Sequence, residues 1–184
     1  MSGLLERNRA ALLVIDVQER INAVMADQGH IPRLEVLVEA CRGLGVPVLA
    51  SEQYPQGLGP TVDSLAALLG NDLPGKLTFS CSRDDGLRVA VDATGREQIV
   101  VTGIETHVCV LQTALDLLDA GFEVYVPHDA VNSRRPSDKD WALHRMAAAG
   151  AVITSTESAL FELLERCDTA DFKTVAKLIK RIPL

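Results

Sequence analysis

The chain has 184 residues, of which 47% are hydrophobic and 23% are charged, and its formal net charge at pH 7 is −7. This composition is typical of one globular domain with a sizeable core, not of a disordered chain. The acidic balance argues against a general surface for nucleic acid or for an anionic membrane. The sequence also lacks an apolar run long enough to cross a bilayer and the apolar segment of a signal peptide.

The predicted elements alternate between strands and helices. Apolar runs predict buried parallel strands at 11–17, 46–51, 98–103, 122–129 and 151–155, and residues 76–80 predict a short strand or extended segment. Helical periodicity predicts helices at 31–44, 63–69, 84–94, 107–120, 137–150, from 158 onward and at 171–181. The segment 51–60, with two glycines and two prolines, predicts an irregular exposed loop.

Alternating strands and helices predict an α/β fold. Right-handed crossovers pack helices on both faces of a parallel sheet, which gives a three-layer α/β/α, Rossmann-like architecture. We find no internal repeat and no linker, so residues 1–184 are predicted to form a single domain. Four cysteines, at positions 41, 81, 109 and 167, are too widely spaced for a disulfide framework or a CxxC metal site. A reduced, cytoplasmic location is therefore expected.

Polar side chains stand directly after several predicted strands. In doubly wound sheets, ligands bind beyond this carboxyl edge, at the point where the strand order reverses. The candidates in chain order are Asp16, Gln18, Glu52, Gln53, Tyr54, Glu105, His107, Cys109, His128 and Asp129. The pattern leaves open whether Lys76 lies at the same edge. It also leaves open whether Asp16 is a general base or a carboxylate that caps a loop.

Cys109 has two interpretations. A lone cysteine is most often a small buried hydrophobic residue. However, Cys109 falls in the first turn of the helix predicted at 107–120, where free backbone N–H groups and the helix dipole would stabilise a thiolate and lower the thiol pKa. The same N–H groups could bind the oxyanion of a tetrahedral intermediate. With Asp16 and Lys76, the thiol would form a nucleophile–base set.

Three motifs occur in order along the chain: LLVIDVQ with Asp16, GKLTFS with Lys76, and VTGIETHVCV with Cys109. Together they resemble the isochorismatase-like cysteine hydrolase superfamily. The similarity runs from about residue 10 to about residue 180, and SEQYPQGLGPTV and FKTVAKLIK resemble the subgroup of isochorismatase domain-containing proteins. The resemblance implies a six-stranded parallel sheet flanked by helices, the fold of isochorismatase-like hydrolases.

The resemblance also implies the site. The catalytic triad would be Asp16, Lys76 and Cys109, and the peptide bond between Ile104 and Glu105 would be cis. The backbone N–H groups of Glu105 and Cys109 would form the oxyanion hole. The implied reaction is cleavage of an amide or ureide C–N bond in a small molecule through a thioester intermediate. Weaker candidates for the substrate pocket are Gln18, Tyr54 and Phe79, whereas Glu52, His107 and His128 have no predicted role.

The sequence differs from other members of the superfamily, and these differences narrow the expected cofactors and reaction. Nicotinamidases of the superfamily bind a metal through histidines after the second strand, whereas SEQYPQGLG contains no histidine. We therefore expect no metal and no other cofactor. Relatives that cleave the vinyl ether of isochorismate work without the nucleophilic cysteine, so that reaction is an alternative only. The expected partners are a small-molecule substrate and further copies of the chain in a homo-oligomer, with neither nucleic acid nor membrane.

Two alternatives come from other classes of protein. The fold could be a non-catalytic, partner-binding scaffold in which Cys109 at most senses oxidants. It could also bind nucleotides, although the chain lacks GxGxxG after its first strand and lacks GxxxxGK[ST] altogether.

Overall fold

The computed structural model describes residues 3–183, and its centre is a parallel sheet. Six strands lie in the order β3, β2, β1, β4, β5 and β7. Their bounds are Ala10–Ile15 (β1), Val48–Gln53 (β2), Gly75–Lys76 (β3), Gln98–Ile104 (β4), Glu123–Pro127 (β5) and Val152–Thr154 (β7). A further two-residue strand, Val131–Asn132 (β6), pairs with the end of β4. The predicted six-stranded parallel sheet is confirmed, and β6 is an addition too short for a pattern to predict.

Nine α-helices connect and cover the strands within residues 3–183. Their bounds are Glu19–Asn22 (α1), His30–Gly43 (α2), Pro55–Leu58 (α3), Asp63–Leu69 (α4), Asp85–Ala93 (α5), Leu111–Asp119 (α6), Pro136–Ala148 (α7), Thr156–Leu164 (α8) and Ala170–Ile179 (α9). A 3-10 turn spans Cys81–Arg83, and a π-helical turn spans Thr106–Val110. No helix in this part of the chain is both long and apolar enough to span a membrane.

The sheet separates two apolar cores, because successive side chains of a strand point to opposite faces. On β1, Ala10, Leu12 and Val14 face one core, and Ala11, Leu13 and Ile15 face the other. The first core is closed mainly by α2, α4, α8 and α9, and the second by α5, α6 and α7. Every residue of β1 is buried, which explains why its sequence is a continuous apolar run and not an alternating one.

Two predicted elements differ from the observed ones. The helix expected at 107–120 begins instead with the π-helical turn at Thr106–Val110, and α6 follows it. The segment expected at 51–60 as an exposed loop is partly ordered, because β2 continues to Gln53 and α3 follows at Pro55–Leu58. Glu52 and Gln53 are accordingly buried. In both places, contacts with other elements override the local signal.

Candidate active site

The strand order reverses between β1 and β4. From β1 the chain runs outward to β2 and β3, and it then returns to β4 and continues to the other edge. Ile15, the last residue of β1, is in register with Gly103 near the end of β4. A β-carbon at Gly103 would lie 2.1 Å from the Ile15 carbonyl oxygen, so only glycine allows this approach. The residues that follow β1 and β4 therefore meet at one point of the carboxyl edge.

Asp16 is the first residue beyond β1, and it is buried. Its φ angle of 55° lies in the left-handed region, which is unusual for a residue other than glycine. The Ser51 hydroxyl donates a hydrogen bond of 2.8 Å to Asp16 Oδ1, and Lys76 Nζ donates one of 2.7 Å to Oδ2. The two carboxylate oxygens thus have different protein partners.

Lys76 lies at the end of β3, and only 1% of it is exposed. Its ammonium crosses the end of β2, two strand spacings or about 10 Å from β1, to reach Asp16. It also donates to Gln53 Oε1 at 2.6 Å and to the carbonyl oxygens of Thr78 and Phe79 at 3.2 and 3.0 Å. Burial alone lowers the pKa of Lys76, but the Asp16 carboxylate, together with the nearby Cys109 and Cys81, outweighs burial and leaves this pKa raised. The ammonium is therefore charged at neutral pH.

Cys109 lies in the π-helical turn after β4, with its thiol beside Asp16. Burial raises the pKa of the Cys109 thiol well above its usual range, and the charge of Asp16 and its role as hydrogen-bond acceptor raise it further, whereas Lys76 lowers it. The expected lowering of this pKa by the start of a helix is therefore wrong. Burial and the adjacent carboxylate both favour the neutral form, so the resting state is a thiol beside an ion pair.

The segment between β4 and Cys109 has an unusual backbone. The peptide bond between Ile104 and Glu105 is cis. The Glu105 carbonyl accepts hydrogen bonds from the N–H groups of Val108 and Val110, at 3.1 and 3.2 Å. Among residues 3–183, the Glu105 N–H donates to no other residue, and the N–H of Cys109 does not donate to the Glu105 carbonyl. The π-helical turn thus replaces the regular i→i−4 bond of Cys109.

The Glu105 carboxylate binds the chain after β6 and not Asp16, Lys76 or Cys109. It accepts hydrogen bonds from the backbone N–H and from Nε of Arg134, at 3.1 and 3.0 Å. Glu105 itself is only 6% exposed. These contacts give the side chain a supporting role in the position of the 105–109 segment.

The three weaker pocket candidates lie in different environments. Gln18 is fully buried, and its amide binds the N–H and carbonyl of Gln53 and the carbonyl of Gly59. Tyr54 and Phe79 are about half exposed, at 51% and 52%. Both stand next to Lys76 in the structure, since the Tyr54 N–H binds the Lys76 carbonyl and the Phe79 carbonyl accepts from Nζ. Gln18 ties β2 to the loop before α4, whereas Tyr54 and Phe79 lie at the surface around Lys76.

Three residues without a predicted role lie at the same edge. The Glu52 carboxylate accepts hydrogen bonds from the N–H and the hydroxyl of Thr61, at 2.7 and 2.8 Å. Nδ1 of His107 lies 3.0 Å from the Ser133 hydroxyl. His128 is exposed. None of these contacts joins Asp16, Lys76 or Cys109, so Glu52 and His107 hold loops at the edge of the sheet.

The sequence interpretation missed Ser51 because a serine at the end of a buried strand is a common residue. The only signal for it is position, since Ser51 ends the stretch of β2 that pairs with β1. Among residues 3–183, no group of three or more histidine, cysteine or acidic side chains is arranged to hold a metal ion.

The fold and this cluster define a class: a three-layer α/β protein whose reversal point brings a buried aspartate–lysine pair beside a cysteine. Residues 10–158 match the Isochorismatase domain family. The chain therefore belongs to that family.

A curated relative supports this assignment. Isochorismatase domain-containing protein 1 of Danio rerio is 36% identical over 179 residues, which are 97% of this chain and 63% of the relative. The chain thus spans a little under two thirds of the length of that protein.

Three solved structures share the fold. MAR1 ribonuclease from Caenorhabditis elegans is 35% identical with a TM-score of 0.89, covering 97% of this chain and 93% of that one. YcaC from Pseudomonas aeruginosa, solved with hexane-2,5-diol and covalent acrylamide, is 27% identical with a TM-score of 0.86, covering 98% and 97%. The Escherichia coli YcaC gene product, an octameric hydrolase of unknown specificity, is 26% identical with a TM-score of 0.89, covering 97% and 91%.

Proposed function

We propose that this protein is a cysteine hydrolase that cleaves an amide or ureide C–N bond of a small molecule, with Asp16, Lys76 and Cys109 as its catalytic residues. The observation that carries the proposal is the buried ion pair between Lys76 and Asp16, 2.7 Å long, beside the Cys109 thiol. A nucleophile, a base and a fixed cation are the parts that acyl transfer requires. Related YcaC with covalently bound acrylamide supports a reactive nucleophile in this fold, because acrylamide alkylates thiols.

The raised pKa of Cys109 decides the order of events. The resting cysteine is protonated, so Asp16 takes the thiol proton while the sulfur attacks the carbonyl carbon and breaks its C=O π bond. The backbone N–H groups of Glu105 and Cys109 would bind the resulting oxyanion. The protonated Asp16 then gives its proton to the leaving nitrogen as the C–N bond breaks, which leaves a thioester on Cys109.

Water completes the cycle. Asp16, again a carboxylate, takes a proton from water as the oxygen attacks the thioester carbon, and the proton passes to the departing sulfur. Lys76 stays protonated throughout, because its ammonium has four oxygen acceptors around it. Its charge stabilises each anionic state of the aspartate and the cysteine. No metal or cofactor takes part in this scheme.

Acyl transfer to Cys109 can be tested without knowledge of the natural substrate. With p-nitrophenyl acetate as a general acyl donor, we expect a burst of p-nitrophenol and an acetyl group on the peptide that contains Cys109, detected by mass spectrometry. Cys109→Ala should abolish both, and a panel of amides and ureides would then define the substrate. The exposed Cys167 is the internal control for simple accessibility, and Cys167→Ala should leave the burst unchanged. A p-nitrophenol burst that survives Cys109→Ala would refute the proposal.

The remaining features of the whole protein are proposed with it. We propose one domain over residues 1–184, and a homo-oligomer by analogy with the octameric YcaC and with exposed Trp141 on α7 as a surface for assembly.

All four cysteines are unpaired, which supports a reducing, cytoplasmic compartment. Tyr54 and Phe79 are proposed to contact the substrate, whereas the contacts of Gln18 favour a supporting role.

A further inference from the structure

Two residues of β2, Ser51 and Gln53, bind the two charged groups of the site. They are two positions apart on one strand and therefore point to the same side of the sheet. Ser51 donates to Asp16 Oδ1 at 2.8 Å, and Gln53 Oε1 accepts from Lys76 Nζ at 2.6 Å. The strand thus offers a donor to the anion and an acceptor to the cation.

A second thiol, that of Cys81, fixes the direction of the Ser51 hydroxyl. Its single proton goes to Asp16, so the Cys81 sulfur, 3.4 Å from Oγ, donates to the oxygen of Ser51. Burial raises the pKa of Cys81 to about 11, which keeps this thiol protonated at neutral pH. Ser51 and Cys81 are each only 1% exposed. The chain of contacts runs from Cys81 through Ser51 to Asp16.

The amide of Gln53 is also fixed in one orientation. Its Nε2 donates to the Leu77 carbonyl at 3.1 Å, so Oε1 is the atom that faces Lys76. The backbone N–H of Gln53 is bound by Gln18 Oε1 at 2.7 Å, which holds the end of the strand. A neutral amide satisfies the ammonium without adding a second negative charge beside Cys109.

We propose that Ser51 and Gln53 are positioning residues of the active site, acting through Asp16 and Lys76 respectively. Ser51 binds Oδ1 and Lys76 binds Oδ2, so the carboxylate beside the Cys109 thiol is held in one orientation. Gln53 holds the ammonium while leaving its charge available to the sulfur as it becomes anionic. This inference rests on the proposed cysteine hydrolase function.

The rate of Cys109 alkylation by acrylamide at pH 7 tests the role of Ser51. Asp16→Asn removes the proposed base and should slow this alkylation strongly. Ser51→Ala leaves Oδ1 of the buried carboxylate without the hydrogen bond that fixes it, so alkylation should slow by about fivefold or more.

Matched variants separate positioning from folding. Ser51→Thr keeps the hydroxyl and should restore the wild-type rate, and Cys81→Ala keeps the bond from Ser51 to Asp16 and should slow alkylation less than Ser51→Ala does. A Ser51→Ala rate equal to that of the wild type would overturn the inference while leaving the proposed function intact. A rate that Asp16→Asn leaves unchanged would instead count against the function itself.

Gln53→Glu tests whether the acceptor for Lys76 must be neutral, because it adds a charge with almost no change in the shape of the side chain. The new carboxylate would share Lys76 with Asp16 and repel a negative sulfur, so alkylation at pH 7 should slow by about tenfold or more. Gln53→Met, which has no charge and no strong acceptor, should slow it less than Gln53→Glu does. Equal rates in Gln53→Glu and the wild type would overturn the role assigned to Gln53.

Discussion

At the scale of single residues, the site depends on the burial of one cation and one anion together. The side chains of Lys76 and Asp16 are 0% and 3% exposed. A buried ion pair contributes little net stability, because both ions lose their hydration, but the loss of one partner leaves the other charge without compensation. The pair is therefore sensitive to any change that removes only one of the two charges.

Lys76→Met should lower the free energy of unfolding by about 3–5 kcal/mol, because the Asp16 carboxylate stays buried without its counter-ion. Urea denaturation followed by circular dichroism measures this change. The double variant Asp16→Asn with Lys76→Met should recover part of the loss, since no buried charge remains. Arg166→Met is the control: it breaks an exposed pair with Asp168 and should have no measurable effect. A Lys76→Met protein as stable as the wild type would contradict this account.

At the scale of elements, the approach of β4 to β1 decides where the site forms. Gly103 has a φ angle of 102°, and its α-carbon lies against the backbone of Ile15. Gly121, just beyond α6, has a similar φ angle of 91° but no atom within 4 Å of the position that a β-carbon would take. Substitution of the two glycines by alanine therefore separates the free-energy cost of a strained φ angle from the cost of a steric clash with Ile15.

Gly103→Ala should lower the free energy of unfolding by at least about 3 kcal/mol, because strained φ and a backbone clash add together. Gly121→Ala should cost only about 1–2 kcal/mol, from the φ angle alone. Chemical denaturation of the two variants in parallel gives the comparison. Equal losses would show that collision with Ile15 contributes nothing.

A second contact between elements joins α2 to β6 through His30. Its Nε2 donates to Asn22 Oδ1 at 2.9 Å, and its Nδ1 accepts from Asn132 Nδ2 at 3.1 Å. Asn132 also binds the carbonyl of Asp27, which sets the direction of its amide. This pattern requires the neutral ring, because a proton on Nδ1 would face the amide N–H of Asn132.

Stability should accordingly fall in acid through His30. Burial, with Lys139 nearby, lowers the pKa of His30 to about 4. The unfolded chain takes up the proton below about pH 6.5 and the folded chain only near pH 4, so stability is lost as pH falls through this window, by about 3 kcal/mol. Unfolding free energies measured from pH 7 to pH 4 give this slope, and His30→Gln should reduce it. His144→Asn, on the exposed side of α7, should leave the slope unchanged.

At the scale of the whole molecule, the net charge of the chain bears on whether its substrate is RNA or a small molecule. One 35% identical relative is a ribonuclease, MAR1 of Caenorhabditis elegans. RNA-binding surfaces attract phosphates through clustered lysine and arginine, whereas this chain has a net charge of −7. The candidate active site is also assembled from buried side chains, and its cation, Lys76, is already paired with Asp16.

We therefore expect neither RNA binding nor RNA cleavage. Fluorescence anisotropy with a labelled single-stranded RNA at low and at physiological salt should show no salt-dependent binding. Cleavage of the same RNA, lost in Cys109→Ala, would contradict the small-molecule assignment. Cleavage that persists in that variant would point to a contaminating nuclease.

The order of the elements and the identity of the charged residues after them follow from the sequence alone. Continuous apolar runs identify buried parallel strands, because each is covered on both faces. Ligand sites lie at the carboxyl edge of such a sheet, so their positions after apolar runs make Asp16 and Cys109 two of ten candidates. The resemblance then groups them with Lys76, whose own position no local pattern could predict.

Only the tertiary structure decided how these groups act on one another. Lys76 reaches Asp16 across β2 because strand order places β3 at the edge beyond it, and strand order is not a local property. The high pKa of Cys109 comes from burial and from a carboxylate 93 positions away in sequence, so the local start of a helix predicted it with the wrong sign. The partners of the pair, Ser51 and Gln53, likewise depend on which strands lie side by side. Local sequence determines which residues end each strand, whereas packing determines the charge state of the Cys109 thiol and the groups that bind Asp16.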